Sequence, residues 1–185
     1  MLLLEPVSMI RYVTDTGLPV VDDSLCRESS EMISAAILSR SGYFHATEDA
    51  ILLSDATEDL IRFYNVISQM KRYLRPGLTV PPSIKKIIED SGHRYGMAVM
   101  SYGIKRSPVN KGLLITMDVL ESLATDSSID LTSKELFRSA VIIFDSQTDR
   151  VVYFHQLSRR RMDPMNKLRV QSCLNGLVSN YNWLY

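Results

Sequence analysis

The chain has few of the residues from which catalytic and metal centres are usually assembled. Its 185 residues include three histidines, His45, His93 and His155, and two cysteines, Cys26 and Cys173. The histidines are scattered and none has a cysteine or carboxylate pair at a metal-ligand spacing, so no metal or cofactor is expected. There is no Gly-x-Ser-x-Gly elbow, no phosphate-cradling Gly-rich loop with Lys, and no Gly-x-Gly-x-x-Gly. An excess of charge is missing as well, with 21 basic against 21 acidic side chains. Such a chain has no overall field to gather polyanions, and nucleic acid is not an expected partner. No run approaches the roughly 20 apolar residues that cross a bilayer. Met1-Leu-Leu-Leu is followed at once by Glu5 and Pro6, unlike a secretory signal, so a leader for export would lie outside this sequence. Asp23-Ser-Leu-Cys26 lacks the preceding apolar run and the small residue of a lipid-accepting cysteine.

Chain breakers are also sparse, at 8 Gly and 7 Pro, while 45% of residues are apolar and 23% charged. These are globular proportions, and the length suits one core, so residues 1–185 are read as a single domain.

Leu2 to Val13, with a Pro near its start, reads as a strand entering a sheet at an edge. Ser24 is placed to cap a helix through Arg40, with Leu25, Met32, Ile33, Ala36 and Ile37 as its apolar stripe. Ala50-Ile-Leu-Leu-Ser54 reads as a short buried strand. Asp55 and Glu58 have capping-box spacing ahead of a helix carrying Leu60, Ile61, Tyr64, Ile67, Met70 and Leu74. Pro81-Pro-Ser opens a shorter helix with Ile84, Ile87 and Ile88, closed by Gly92. From Tyr95 the period changes to two, with both faces largely apolar as in a central strand. Leu113 to Leu120 is expected to return as its hairpin partner. Phe137 to Asp145 and Arg150 to Leu157 form a second hairpin. Its turn, Asp145-Ser-Gln-Thr-Asp-Arg, assigns Asp145, Thr148 and Asp149 a structural role. Asp163-Pro164 opens a final helix whose stripe is Leu168, Cys173, Leu174, Leu177, Val178 and Tyr181. The expected class is α/β: a mixed, largely antiparallel sheet of about five to six strands covered by three to four helices.

Two surfaces stand out. Arg159-Arg160-Arg161, with Arg150, Lys167 and Arg169 close in sequence, could grip a phosphate-rich partner or simply be a solvated connection. Asn180-Tyr-Asn-Trp-Leu-Tyr185 offers Tyr181, Trp183 and Tyr185 either to a partner protein or to the domain's own core. The acidic pairs Asp22-Asp23, Glu48-Asp49 and Glu58-Asp59 suit helix N-termini better than acid–base chemistry. Spacing alone leaves open whether Cys26 and Cys173 pair.

Arg94-Tyr-Gly-Met-Ala-Val-Met-Ser-Tyr-Gly103 resembles the strand after a short helix in an envelope family. That family includes the periplasmic domain of the curli-secretion lipoprotein and the amino-terminal domain of the Tol-Pal system's periplasmic propeller protein. Val141-Ile-Ile-Phe-Asp-Ser-Gln-Thr-Asp-Arg-Val-Val-Tyr153 is similar to the family's hairpin, and Leu2-Leu-Leu-Glu-Pro-Val-Ser8 to its first strand. Asp149 stands where the family's turn has glycine; Asp visits the left-handed region, though less readily. The resemblance covers about a third of the chain and implies the family's fold. It also implies a non-enzymatic periplasmic or outer-membrane-associated protein that assembles with itself or with other envelope proteins. Membrane contact would come only through a lipid anchor outside this sequence; the alternative location is cytoplasmic.

Three functions are thus set against one another. The first is an envelope assembly protein acting through exposed sheet edges. The second is a small-ligand-binding module with Tyr95, Tyr102 and Tyr153 around a pocket. The third is a hydrolase or transferase whose nucleophile meets a histidine only in space, such as Cys26 or Cys173 with His155.

Overall fold

The computed structural model describes residues 1–39, 42, 46–47, 50–51, 53, 56–70, 78–109, 112 and 135–178. Its centre is the apolar segment β5 (Tyr95–Arg106), whose residues Gly96 to Met100 are all buried. A strand hidden on both faces needs neighbours on both edges, and β5 has them. On one side it pairs antiparallel with β6 (Leu136–Asp145), which pairs antiparallel with β7 (Arg150–Arg160). On the other side β1 (Leu2–Leu4) and β2 (Val7–Val13) run parallel to it in succession. Two short strands extend the sheet: β3 (Pro19–Val21), antiparallel to β2, and β4 (Ala50–Ile51), parallel to β1. The result is a mixed seven-stranded sheet whose longest ladders beside β5 include both orientations.

Helices cover both faces. α1 (Asp23–Leu38) and α4 (Lys167–Val178) lie on one, where Ile33, Ile37, Val170, Leu174 and Leu177 join Leu3, Met97, Val99, Val141 and Ile143 in one core. α2 (Thr57–Gln69) and α3 (Pro82–Asp90) lie on the other. There Leu60, Ile67, Ile84 and Ile88 bury Leu2, Leu4, Ala98, Ile142 and Phe144. The α/β architecture is therefore present, with four helices and seven strands among the described residues, against the five to six strands expected.

Several local expectations are corrected. Leu2 to Val13 is not one edge strand: Pro6 sits at a break between β1 and β2, which lie inside the sheet. Leu3 pairs with Met97 and Val7 with Met100, so three residues oppose two. This bulge tolerates the proline, and it reverses the side-chain alternation: Leu3 faces one core and Val7 the other. Asp22, not Ser24, caps α1, accepting from the Leu25 amide at 2.9 Å. Ala56 precedes α2 without a side-chain cap, and Asp55 lies outside the described residues. Of the expected strand Ala50 to Ser54, Ala50–Ile51 is a peripheral strand with Ile51 38% exposed, Leu53 is buried, and Leu52 and Ser54 lie outside the described residues.

α4 also starts later than expected. Asp163 Oδ1 accepts from the Met165 amide, while Asn166 Oδ1 accepts from the Arg169 amide, so the cap is Asn166. Leu168, in the first turn, is 79% exposed, and Val170 takes its place in the buried stripe. The expected strand 113–120 lies outside the described residues; the partners of β5 are β6 and the pair β1 and β2.

Candidate functional site

Register places two rows of side chains across four adjacent strands. Val7, Met100, Ala140 and Gln156 are successive neighbours, and so are Met9, Tyr102, Arg138 and Ser158. Because alternate residues share a face, both rows lie on the face that α2 covers. The buried core on this face ends at Met100, and beyond it the sheet and α2 enclose a cavity of about 630 Å3. Its lining includes Val7, Met9, Met100, Tyr102, Arg138 and Gln156 from the sheet. From α2 come Ile61, Tyr64, Asn65, Ser68 and Gln69, and Asp23 and Cys26 contribute from the start of α1. The volume falls in the range of small-molecule sites, and an apolar floor with a few polar groups is their usual composition.

Polar geometry is defined at one end. Gln156 Nε2 donates to Tyr64 Oη at 3.2 Å. Burial pushes the Tyr64 hydroxyl above its usual range, with the nearby Arg138 guanidinium pulling the other way. The hydroxyl is therefore a neutral donor at physiological pH. The Arg11 guanidinium stands 5.8 Å from the Tyr102 ring centroid. Cys26 is turned to the backbone: the Ile10 amide donates to its Sγ at 3.1 Å.

The three tyrosines expected around a pocket do not meet. Tyr102 lines the cavity. Tyr95 lies beneath the Arg94 guanidinium, 4.8 Å away, and Tyr153 donates to the Leu177 carbonyl on the opposite face. That Tyr64 and Arg138 line one cavity was not read from the sequence. Tyr64 looks like part of an apolar helix stripe, and Arg138 becomes informative only once β6 is known to lie between β5 and β7.

The hairpin residues occupy a tight turn. Asp145 accepts from Arg94 Nη2 at 2.8 Å and Nε at 3.2 Å, and from the Gln147 amide at 3.0 Å. Thr148 reaches the same carboxylate, and Asp149 adopts φ +57, the left-handed conformation expected of a glycine there. Lys85 approaches Asp149 at 3.6 Å.

Arg159 and Arg160 end β7, and Arg161 follows at φ +59. With Arg169 and Ser172 of α4 they line a shallow depression of about 240 Å3. Tyr181, Trp183 and Tyr185 lie outside the described residues.

A spatially assembled nucleophile finds little support in the described geometry. His155 Nδ1 is 3.0 Å from the Leu177 carbonyl and 3.3 Å from Tyr153 Oη. His93 contacts Ser91, whose hydroxyl proton is donated to the Ile88 carbonyl at 2.7 Å. Burial pushes the Cys173 thiol up, against the opposing pull of Arg159, so it stays protonated. His45 lies outside the described residues. Both cysteines are free thiols, and no group of three potential metal ligands occurs among the described residues. No described helix is long and apolar enough to cross a membrane. Compared with protein-family models and with curated proteins, the chain matches none.

Proposed function

We propose that the chain is a non-enzymatic domain of the cell envelope, periplasmic or outer-membrane-associated, that works by protein–protein assembly with itself or with other envelope proteins. The observation that carries this reading is the outer edge of β3. The sheet has three outer strands among the described residues, and proteins normally protect such edges. β4 is only two residues long. β7 is covered at its start by the backbone of Leu78 to Val80, and it ends in arginines. β3 is also short, three residues beginning with Pro19, but among the described residues no other backbone covers it and it carries no charged side chain. Leu18, Val20 and Val21 are 66%, 52% and 50% exposed, and the outer side of β3 pairs with no described strand. An apolar unpaired edge is the surface on which another chain can add a strand.

Support also comes from where the resemblance falls. The segments that carry it are β1 with the start of β2, β5, and the β6–β7 hairpin, which are contiguous in the sheet, from β1 and β2 across β5 to its β7 edge. A photoreactive residue at position 20, introduced into the protein in its own cells, tests the proposal. The expected outcome is a crosslinked adduct with the same chain or an envelope protein, recovered in the envelope fraction. A protein crosslinked to nothing and recovered in the cytoplasm would reject it.

A further inference from the structure

We infer that the cavity between α2 and the sheet binds a small amphipathic carboxylate, with its apolar body on Met9, Ile61 and Met100 and its carboxylate on Arg138 and Tyr64. This goes beyond assembly through β3: Val21 borders both surfaces, but none of the five side chains named here belongs to the edge.

The apolar part of the inference follows from the floor of the cavity. The bulge at Pro6 turns Val7 and Met9 towards the α2 face, so β2 adds apolar surface beside Met100 on the floor of the cavity. Two unbranched thioethers there suit an apolar guest of variable shape, because methionine repacks at little cost.

The polar part follows from donors without acceptors. Arg138 is cationic and lines the cavity, yet it pairs with no carboxylate among the described residues. Tyr64 already accepts a hydrogen bond from Gln156, and its own proton has no described acceptor. A guanidinium from β6 and a neutral hydroxyl from α2, lining the same cavity, make a two-donor seat for an anionic oxygen pair. Asp23, the acid in the lining, sits in the first turn of α1, where the helix N-terminus offsets its charge. A ligand cation would face the uncompensated Arg138. Inorganic phosphate would leave the apolar floor uncovered.

Calorimetric titration of the whole chain with octanoate tests this, with octylammonium and inorganic phosphate as controls. Octanoate is expected to bind saturably, one per chain, and neither control to bind. Arg138→Met should weaken octanoate about tenfold or more, the usual cost of losing a charge-assisted contact to a carboxylate. Tyr64→Phe should weaken it by a smaller factor, and Arg138→Lys should restore part of the affinity. Unchanged thermal unfolding of Arg138→Met, whose side chain is exposed, would assign its loss to the site. No octanoate binding, equal binding by Arg138→Met, or equal binding of octylammonium would overturn the inference. Val20→Lys lies outside the cavity lining and should leave octanoate affinity unchanged, so failure here would not touch the edge proposal.

Discussion

The Asp145 carboxylate is buried at the end of β6 and shared between two parts of the chain. Arg94, just before β5, donates to it from one side, and the turn residues Gln147 and Thr148 donate from the other. The Arg94 hydrogen bond outweighs burial and holds the carboxyl below its ordinary value of 3.8. Because the folded protein binds the proton less readily than the unfolded chain, the carboxylate contributes stability that is fully present above the unfolded value. That contribution is lost as pH falls through the folded value. Denaturant midpoints measured from neutral pH downwards should therefore drop below about pH 4. In Asp145→Asn the midpoint should be lower at neutral pH, and the acid part of the curve flatter. A variant with the same pH slope as the natural chain would show that other carboxylates dominate acid unfolding. The sequence pattern marked Asp145 as a turn residue, but its partner Arg94 was not legible, since nothing local links the end of β6 to the residue before β5.

Among the elements, β5 sets the tightest packing constraint. A Cβ at Gly103 would lie 2.5 Å from Pro164 Cβ and 2.8 Å from Ile10 Cδ1. Pro164 cannot swing aside as a flexible side chain does, so Gly103→Ala should destabilise by about 1–3 kcal/mol, the usual range for overpacking. The urea midpoint should fall with little change in slope; an unchanged midpoint would mean that the Asp163–Asn166 turn yields freely. Pro164 also shows where reading by element stops. Asp163-Pro164 satisfies the local rule for a helix start, but so does Asn166 three residues on, and packing on Gly103 places the proline before the helix. Similarly, Pro6 is compatible with an edge or a bulge, and only the neighbours of β1 and β2 decide. Period alone was enough for β5, the β6–β7 hairpin, α3 and the body of α2, because their burial repeats over several turns or pleats; α2 ends at Gln69, with Met70 extended, and Leu74 lies outside the described residues. The cavity was not legible at this level. Its side chains come from β2, β5, β6, β7 and α2, and the order of those strands depends on pairings between segments far apart in the chain.

Among the described residues, both sheet faces are covered over the two cores, and what stays open is the β3 edge and the end of the α2 face. Val20 is exposed and its backbone pairs with Tyr12. Val20→Lys should therefore change folding stability by no more than about 0.5 kcal/mol while adding a charge that opposes strand addition. The most direct test is amide hydrogen exchange at Val21, whose N–H points away from β2, since Pro19 has no amide hydrogen and Val20 already pairs with Tyr12; it is compared between dilute and concentrated protein and repeated with Val20→Lys. Assembly through β3 predicts protection of this amide that grows with concentration in the natural chain and is absent in the variant. Exchange that stays equally fast at every concentration, or protection that survives the lysine, would contradict it.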